Sequence, residues 1–269
     1  MKNILVPLGL SENSVSIARL QYTIDFAKEI GGTVYAVQVF KELPRSGSLP
    51  SVNETLKNIS VTTIEEKFAQ VNKKGVDIIA LPLEGDDLLE AIPEFNLKHS
   101  IDLIVLGAES HDIKNPYFLG QTSGSLLKKT EIPVLVIPEN YIFQPISKVL
   151  MAIKSGVIKK QKSLNPIKEI LNAFNSDVKL LQVKTKEFLP EDVEFQKDLA
   201  EIITSYKSSE NATLFHGVLE HLNENNPDLL CVFRRRRGFF AKLWEENTIL
   251  KKDFESRIPL LILKGALRD

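Results

Sequence analysis

Four short apolar runs in the first half of the chain return, in the same order, in the second half. "KNILVPL" at residues 2–8 is matched by "SKVLMAI" at 147–153, and "VYAVQV" at 34–39 by "VKLLQV" at 178–183, offsets of 145 and 144. "DLIVLG" at 102–107 and "IPVLVIP" at 132–138 are matched by "DLLCVF" at 228–233 and "IPLLILK" at 258–264, both 126 places on. One such pair would mean little, because short apolar runs resemble one another by chance. Four in order, two with one offset, point to a duplicated domain whose second copy is shorter in its middle by about 18 residues, the drop from 144 to 126. The length of 269 residues agrees with two domains. We place them at 1–139 and 146–269, joined by the short linker "PENYIFQP" at 138–145.

Within the first copy, strand-like and helix-like runs alternate. "NILVPL" and "TVYAVQVF" are β-rich and lack polar alternation, as strands buried on both faces do. Residues 14–30 carry a helical apolar stripe that stops at Gly31 and Gly32. A second helix is expected over 55–74, closed by Gly75. A third strand follows in "VDIIALPL", then a third helix over 87–98, a fourth strand in "DLIVLG", a fourth helix over 123–129 and a fifth strand in "PVLVIP". Strands alternating with helices imply crossover connections and a parallel sheet with helices on both faces. The second copy repeats this with a shorter middle helix. Residues 41–51, "KELPRSGSLPS", read as an exposed, mobile loop after the second strand. That is the carboxyl edge, where such sheets bind ligands and where a loop is placed to act as a lid.

Bulk properties remove several function classes. The net charge of −1 and pI near 6.5 give no overall attraction to nucleic acid or an anionic membrane. The single cysteine, Cys231, excludes an intrachain disulfide, and His99, His111, His216 and His221 lack the paired spacing of a metal site. The N-terminus does not read as a signal peptide and no run is long enough to cross a bilayer, so a cytoplasmic protein is expected. Glu84, Asp86 and Asp87 resemble a catalytic carboxylate cluster, but their place before a helix suits capping better. No nucleophile–base–orienter set emerges, so no enzyme is expected.

The stretch "DLIVLGAESHDIKNPYFLGQTSGSLLKKTEIPVLVIP" at 102–138, with "ILVPLGLSENS" at the start and "EGDDLLEAI" at 84–92, resembles the universal stress protein family. The resemblance covers nearly the whole chain as two tandem copies. It implies an α/β fold, each copy a five-stranded parallel sheet of the Rossmann-like, adenine nucleotide α-hydrolase-like kind. It also implies pairing through the edges of the last strands, "VLVIP" and "LLILK", which a tandem chain satisfies internally as a pseudo-dimer.

ATP-binding members of that family carry a glycine, a second glycine three places on, a third ten places further, and then Ser or Thr. Here Gly107 and Gly120 match, Ser110 replaces the second glycine, and Gln121 stands at the last position, followed by Thr122 and Ser123. Glycines let backbone N–H groups approach a polyphosphate, and a helix N-terminus adds free donors and partial positive charge. Ser110 keeps a hydroxyl donor; Gln121 keeps an amide donor on a longer side chain. Just past the first strand the ATP-binding relatives have an acidic residue, whereas this chain reads Leu8–Gly9, weakening the hold on the nucleoside. Val39, near the end of the second strand, offers backbone groups to an adenine edge. The resemblance thus implies at most weak binding of ATP or AMP with magnesium, in the first copy only.

In the second copy the same four positions are Phe233, Arg236, Glu246 and Asn247, and Lys154 stands near the acidic position, so no nucleotide site of the family kind is expected. Arg234, Arg235, Arg236 and Arg237 lie on the loop that carries phosphate contacts in the first copy. They read either as a solvated loop or as a patch for an anion, an acidic partner or a membrane surface. Nucleic acid is not expected. The leading expectation is a non-catalytic stress-response adaptor or sensor with an as yet unknown protein partner. The alternatives are an ATP-binding protein with slow hydrolysis and an anion- or membrane-surface-binding module built on the four arginines. Further homodimerisation through other surfaces stays open.

Overall fold

The computed structural model describes residues 1–9, 14–41, 50–108, 121–158, 161–234 and 258–264. The first copy contains β1 (Asn3–Pro7), α1 (Ser14–Ile30), β2 (Thr33–Phe40), α2 (Pro50–Phe68), β3 (Ile78–Glu84), α3 (Leu88–His99), β4 (Leu103–Gly107), α4 (Gln121–Lys129) and β5 (Val134–Ile137). The second contains β6 (Lys148–Ile153), α5 (Asn165–Phe174), β7 (Asp177–Lys184), α6 (Lys197–Ala200), β8 (Ser205–Glu210), α7 (Leu214–Asn225), β9 (Leu229–Arg234) and β10 (Leu260–Lys264).

By packing, the chain divides into two compact units. The first has strand order β3-β2-β1-β4; the second has β5-β10-β9-β6-β7-β8. The order β3-β2-β1-β4 therefore returns as β8-β7-β6-β9, which is the duplication expressed in topology. Paired strands run parallel in both units, except that β10 meets β5 antiparallel, with Leu260 opposite Val136 and Ile262 opposite Val134. These packing units are not the sequence repeats, since β5 belongs to the first repeat but packs with the second unit.

The apolar runs become the core as period and composition require. Ile4, Leu5 and Val6 of β1 and Leu103, Ile104 and Val105 of β4 are fully buried, as are Leu229 to Val232 of β9 and Leu260 and Leu261 of β10. A strand covered by helices on both faces has no side on which a polar alternation could pay off. Each copy is also tied by the same carboxylate. Asp102 accepts from the backbone N–H groups of Lys2 (2.7 Å) and Asn3 (3.1 Å), and Asp228 from those of Ser147 (2.9 Å) and Lys148 (2.8 Å). From the linker, Tyr141 and Phe143 pack on Tyr22 of α1, Phe143 edge-on at 5.4 Å between ring centroids.

Helix boundaries differ from the sequence expectation in instructive places. α2 spans Pro50–Phe68 rather than 55–74. Gln21 of α1 takes both backbone groups of Asn72, donating to its carbonyl (3.2 Å) and accepting from its N–H (2.8 Å), and this tertiary pair replaces the helical continuation. The chain then turns through Lys74 and Gly75, both at positive φ, so Gly75 serves the turn after the helix. α3 is capped as expected: Asp87 accepts from the N–H groups of Leu89 (2.7 Å) and Glu90 (3.0 Å), while Asp86 pairs with Lys41 at 2.6 Å. α4 begins at Gln121, two residues before the expected start, which puts Gln121, Thr122 and Ser123 in its first turn. In the second copy the four-residue α6 and a short turn at Pro190–Val193 stand where the first copy has the 19-residue α2. The shortened middle is that exchange.

Candidate functional site

The carboxyl ends of β1 and β2 meet where the sequence places the nucleoside end of a binding site. β1 ends at Pro7, and the N–H of Leu8 donates to the carbonyl of Val37 at 2.7 Å. Backbone groups alternate along a strand, so those of Val39 face the same side as Val37, at the level where Leu8 and Gly9 leave the sheet. Two cations from the overlying helices are directed at this corner. Arg19 of α1 donates to the Pro7 carbonyl at 3.1 Å, and Lys67 of α2, fully buried, donates its ammonium to the Gly9 carbonyl.

Gly9 is not at positive φ, and a Cβ added there would have only an ordinary contact, 3.9 Å from the Ser16 hydroxyl. The position is thus not reserved for glycine by backbone or space. Its distinction is chemical: it has no side chain, and the Lys67 ammonium meets its carbonyl.

Next after Val37 on β2 comes Gln38. Tyr35 of β2 packs its ring against Phe95 and His99 of α3, so by alternation Gln38 faces the opposite side of the sheet, the side of α2. It is 1% exposed, and among the described residues neither its amide nitrogen nor its amide oxygen has a hydrogen-bond partner. Leaving both ends of a buried amide unsatisfied costs on the order of 2–6 kcal/mol, taking about 1–3 for each group. Sequence analysis missed both Gln38 and Lys67. The signals were present: a polar residue inside the apolar run "TVYAVQVF", and a lysine on the buried stripe of Ser60, Ile64 and Phe68.

Of the residues expected to hold phosphate, Gly107 is the buried last residue of β4, and Gln121, Thr122 and Ser123 open α4. Ser110 and Gly120 lie outside the described residues, as do 42–49 of the expected mobile loop and Arg235, Arg236 and Arg237. Arg234 is the last residue of β9, opposite Lys264.

The second unit closes the same corner with its own chain. Gln182 is the repeat mate of Gln38, at the offset of 144. Its amide donates to the Asp192 carbonyl (2.5 Å) and its oxygen accepts from the Tyr206 hydroxyl (2.8 Å). Tyr206 also stacks edge-on with Phe195, at 5.2 Å between centroids. The N–H of Gly156 donates to the same Asp192 carbonyl at 3.0 Å, and a Cβ at Gly156 would lie 2.3 Å from the Glu194 carbonyl oxygen. Only glycine allows that approach. Lys154, near the family's acidic position, sits 3.7 Å from Glu187. Phe233, at the place of Gly107, is a buried side chain of β9.

Among the described residues the other titratable groups make local contacts. Lys207, His221 and Glu224 make a small network, with Lys207 Nζ 2.9 Å and His221 Nδ1 3.1 Å from the Glu224 carboxylate. Hydrogen bonds from Lys207 and His221, with the lysine charge, hold the Glu224 carboxyl down at about 2. Cys231 is buried in β9, and burial pushes its thiol up, away from reactivity. Among the described residues no cluster of His, Cys, Asp and Glu could hold a metal ion, and no helix is long and apolar enough to cross a membrane.

A mostly parallel sheet of repeated strand order, covered by helices, is a Rossmann-like α/β architecture. The family model of the universal stress protein family matches residues 1–138, and the chain belongs to that family. Among solved structures it resembles a universal stress protein from Archaeoglobus fulgidus, at 16% identity, TM-score 0.66, covering 97% of this chain and 96% of that one. It also resembles a putative universal stress protein from Pseudomonas aeruginosa (13%, TM-score 0.60, 98% and 94%) and a functionally unknown protein from the same organism (14%, TM-score 0.59, 98% and 93%). These likenesses extend the shared fold over the second half of the chain. Comparison with curated proteins gave no match.

Proposed function

We propose that the chain works by binding rather than turnover, with one nucleotide-binding copy per chain. The first copy takes an adenine nucleotide, ATP or AMP with magnesium, weakly at the carboxyl edge of its sheet. The second copy takes none and serves as the surface for a protein partner, which makes the molecule an asymmetric sensor or adaptor. The observation that carries this reading is the contrast between two equivalent glutamines: Gln182 is satisfied by its own unit, and Gln38 is not.

Several features support weak rather than tight binding. Gly107 and Gly120 keep the ends of the phosphate turn, while Ser110 replaces a glycine and Gly9 replaces an acidic residue. The first turn of α4, which holds Thr122 and Ser123, brings the positive end of a helix dipole. The reading is tested by calorimetric titration of the full chain with ATP and magnesium, beside a Gly120→Glu variant. Binding that the variant abolishes is expected; no heat at millimolar ATP from folded protein would overturn the reading.

A further inference from the structure

The two copies carry the same glutamine in two hydrogen-bonding states, and the difference defines what the first copy lacks. In the second unit Gln182 has a carbonyl acceptor for its N–H₂ and a hydroxyl donor for its oxygen. The donor is Tyr206, which stands opposite Leu180, two places before Gln182, in the β7–β8 register. The same register position in the first unit is Ala80, opposite Ala36, two places before Gln38. Alanine has no hydroxyl to give. Fully buried, Gln38 keeps both capacities unused.

We propose that Gln38 is a specificity-determining residue that reads the ligand of the first copy. It would take a group presenting one hydrogen-bond acceptor and one donor side by side, as the Asp192 carbonyl and Tyr206 hydroxyl do for Gln182. The adenine edge has that pattern, an exocyclic amine next to a ring nitrogen, and a glutamine amide matches it with two hydrogen bonds. This deepens the function proposed above and rests on it. Gln38 stands one residue beyond the last paired residue of β2 against β1, Val37 opposite Pro7, and two before the end of β2, which continues against β3 to Phe40.

The test is a thermodynamic cycle on the full chain. Wild type and Gln38→Leu are each titrated with ATP and with purine riboside triphosphate, which lacks the exocyclic amine. The expected result is that wild type prefers ATP by roughly tenfold, that Gln38→Leu binds both alike and more weakly than wild type binds ATP, and that the variant melts no lower than wild type. The last point follows because leucine removes an unsatisfied amide. Equal ATP affinity in both proteins, or an undiminished preference in the variant, would overturn the inference while leaving nucleotide binding standing. Absence of ATP binding by wild type would overturn both. A variant that melts several degrees lower with its preference intact would show a structural amide, also against the proposal. Should Gln38→Leu fail to fold, Ala80→Tyr supplies the missing hydroxyl: a higher melting temperature with ATP affinity reduced tenfold or more is expected, and unchanged affinity overturns the inference.

Discussion

Gly9 and Lys67 show how a single position can reverse the character of a site. The sequence reveals the loss of the acidic residue at once, because a motif is read by its absences as readily as by its matches. It does not reveal that the Lys67 ammonium meets the Gly9 carbonyl, because 58 residues separate the two. Since the Cβ position at Gly9 is open, Gly9→Asp should fold, pair with Lys67 and restore an acceptor for the nucleoside. We expect ATP affinity to rise about tenfold, the effect of ~1.4 kcal/mol, in a titration of the variant; unchanged affinity would mean the corner does not contact the nucleoside. Glu224 gives a pH signature at the same scale. Its carboxyl is depressed from near 4.5 to about 2, so its stabilising contribution is complete above the higher value and disappears as pH falls toward the lower. Urea melts should separate wild type from Glu224→Gln above pH 5 and bring them together near pH 2, and a gap constant with pH would contradict that account.

Between elements, the informative comparison is α2 against the turn at Pro190–Val193 and α6. The count of residues lost from the second copy was legible from the offsets, and so was the shortened helix. What replaced it was not legible, because the segment is held by contacts that no local pattern announces: the Asp192 carbonyl on Gln182 and the close approach of Glu194 to Gly156. Helix ends were misread for the same reason, α2 being ended by Gln21 from another helix. Gly156→Ala should therefore cost about 1–3 kcal/mol in urea unfolding, the range for forcing extra volume into packed structure. It should leave ATP binding by the first copy unchanged. A neutral effect would show that the segment does not hold the closed corner. The carboxylate ties are the opposite case, found in both copies because the repeat carries the aspartate with the strand. Asp102→Ala should destabilise by about 1 kcal/mol after allowance for its exposure, and Asp228→Ala by a similar amount.

For the molecule as a whole, duplication gave two copies of one strand order, and divergence gave their equivalent glutamines different surroundings. The buried strands and their parallel ladders were legible as runs of apolar residues alternating with helices, whereas the strand order and the antiparallel direction of β5 against β10 came only with the structure. The asymmetry of the two copies was half visible, in the glycines kept by one copy and lost by the other. The other half lay in Gln38 and Gln182, identical letters whose surroundings differ. If the account is right, the chain has one working nucleotide corner and one sealed by its own backbone. The most direct measurement is the stoichiometry of ATP binding to the full chain by calorimetry in the presence of magnesium. The account predicts one site per chain, removed by Gly120→Glu and insensitive to Gly156→Ala. Two sites per chain, or one that survives Gly120→Glu, would contradict it.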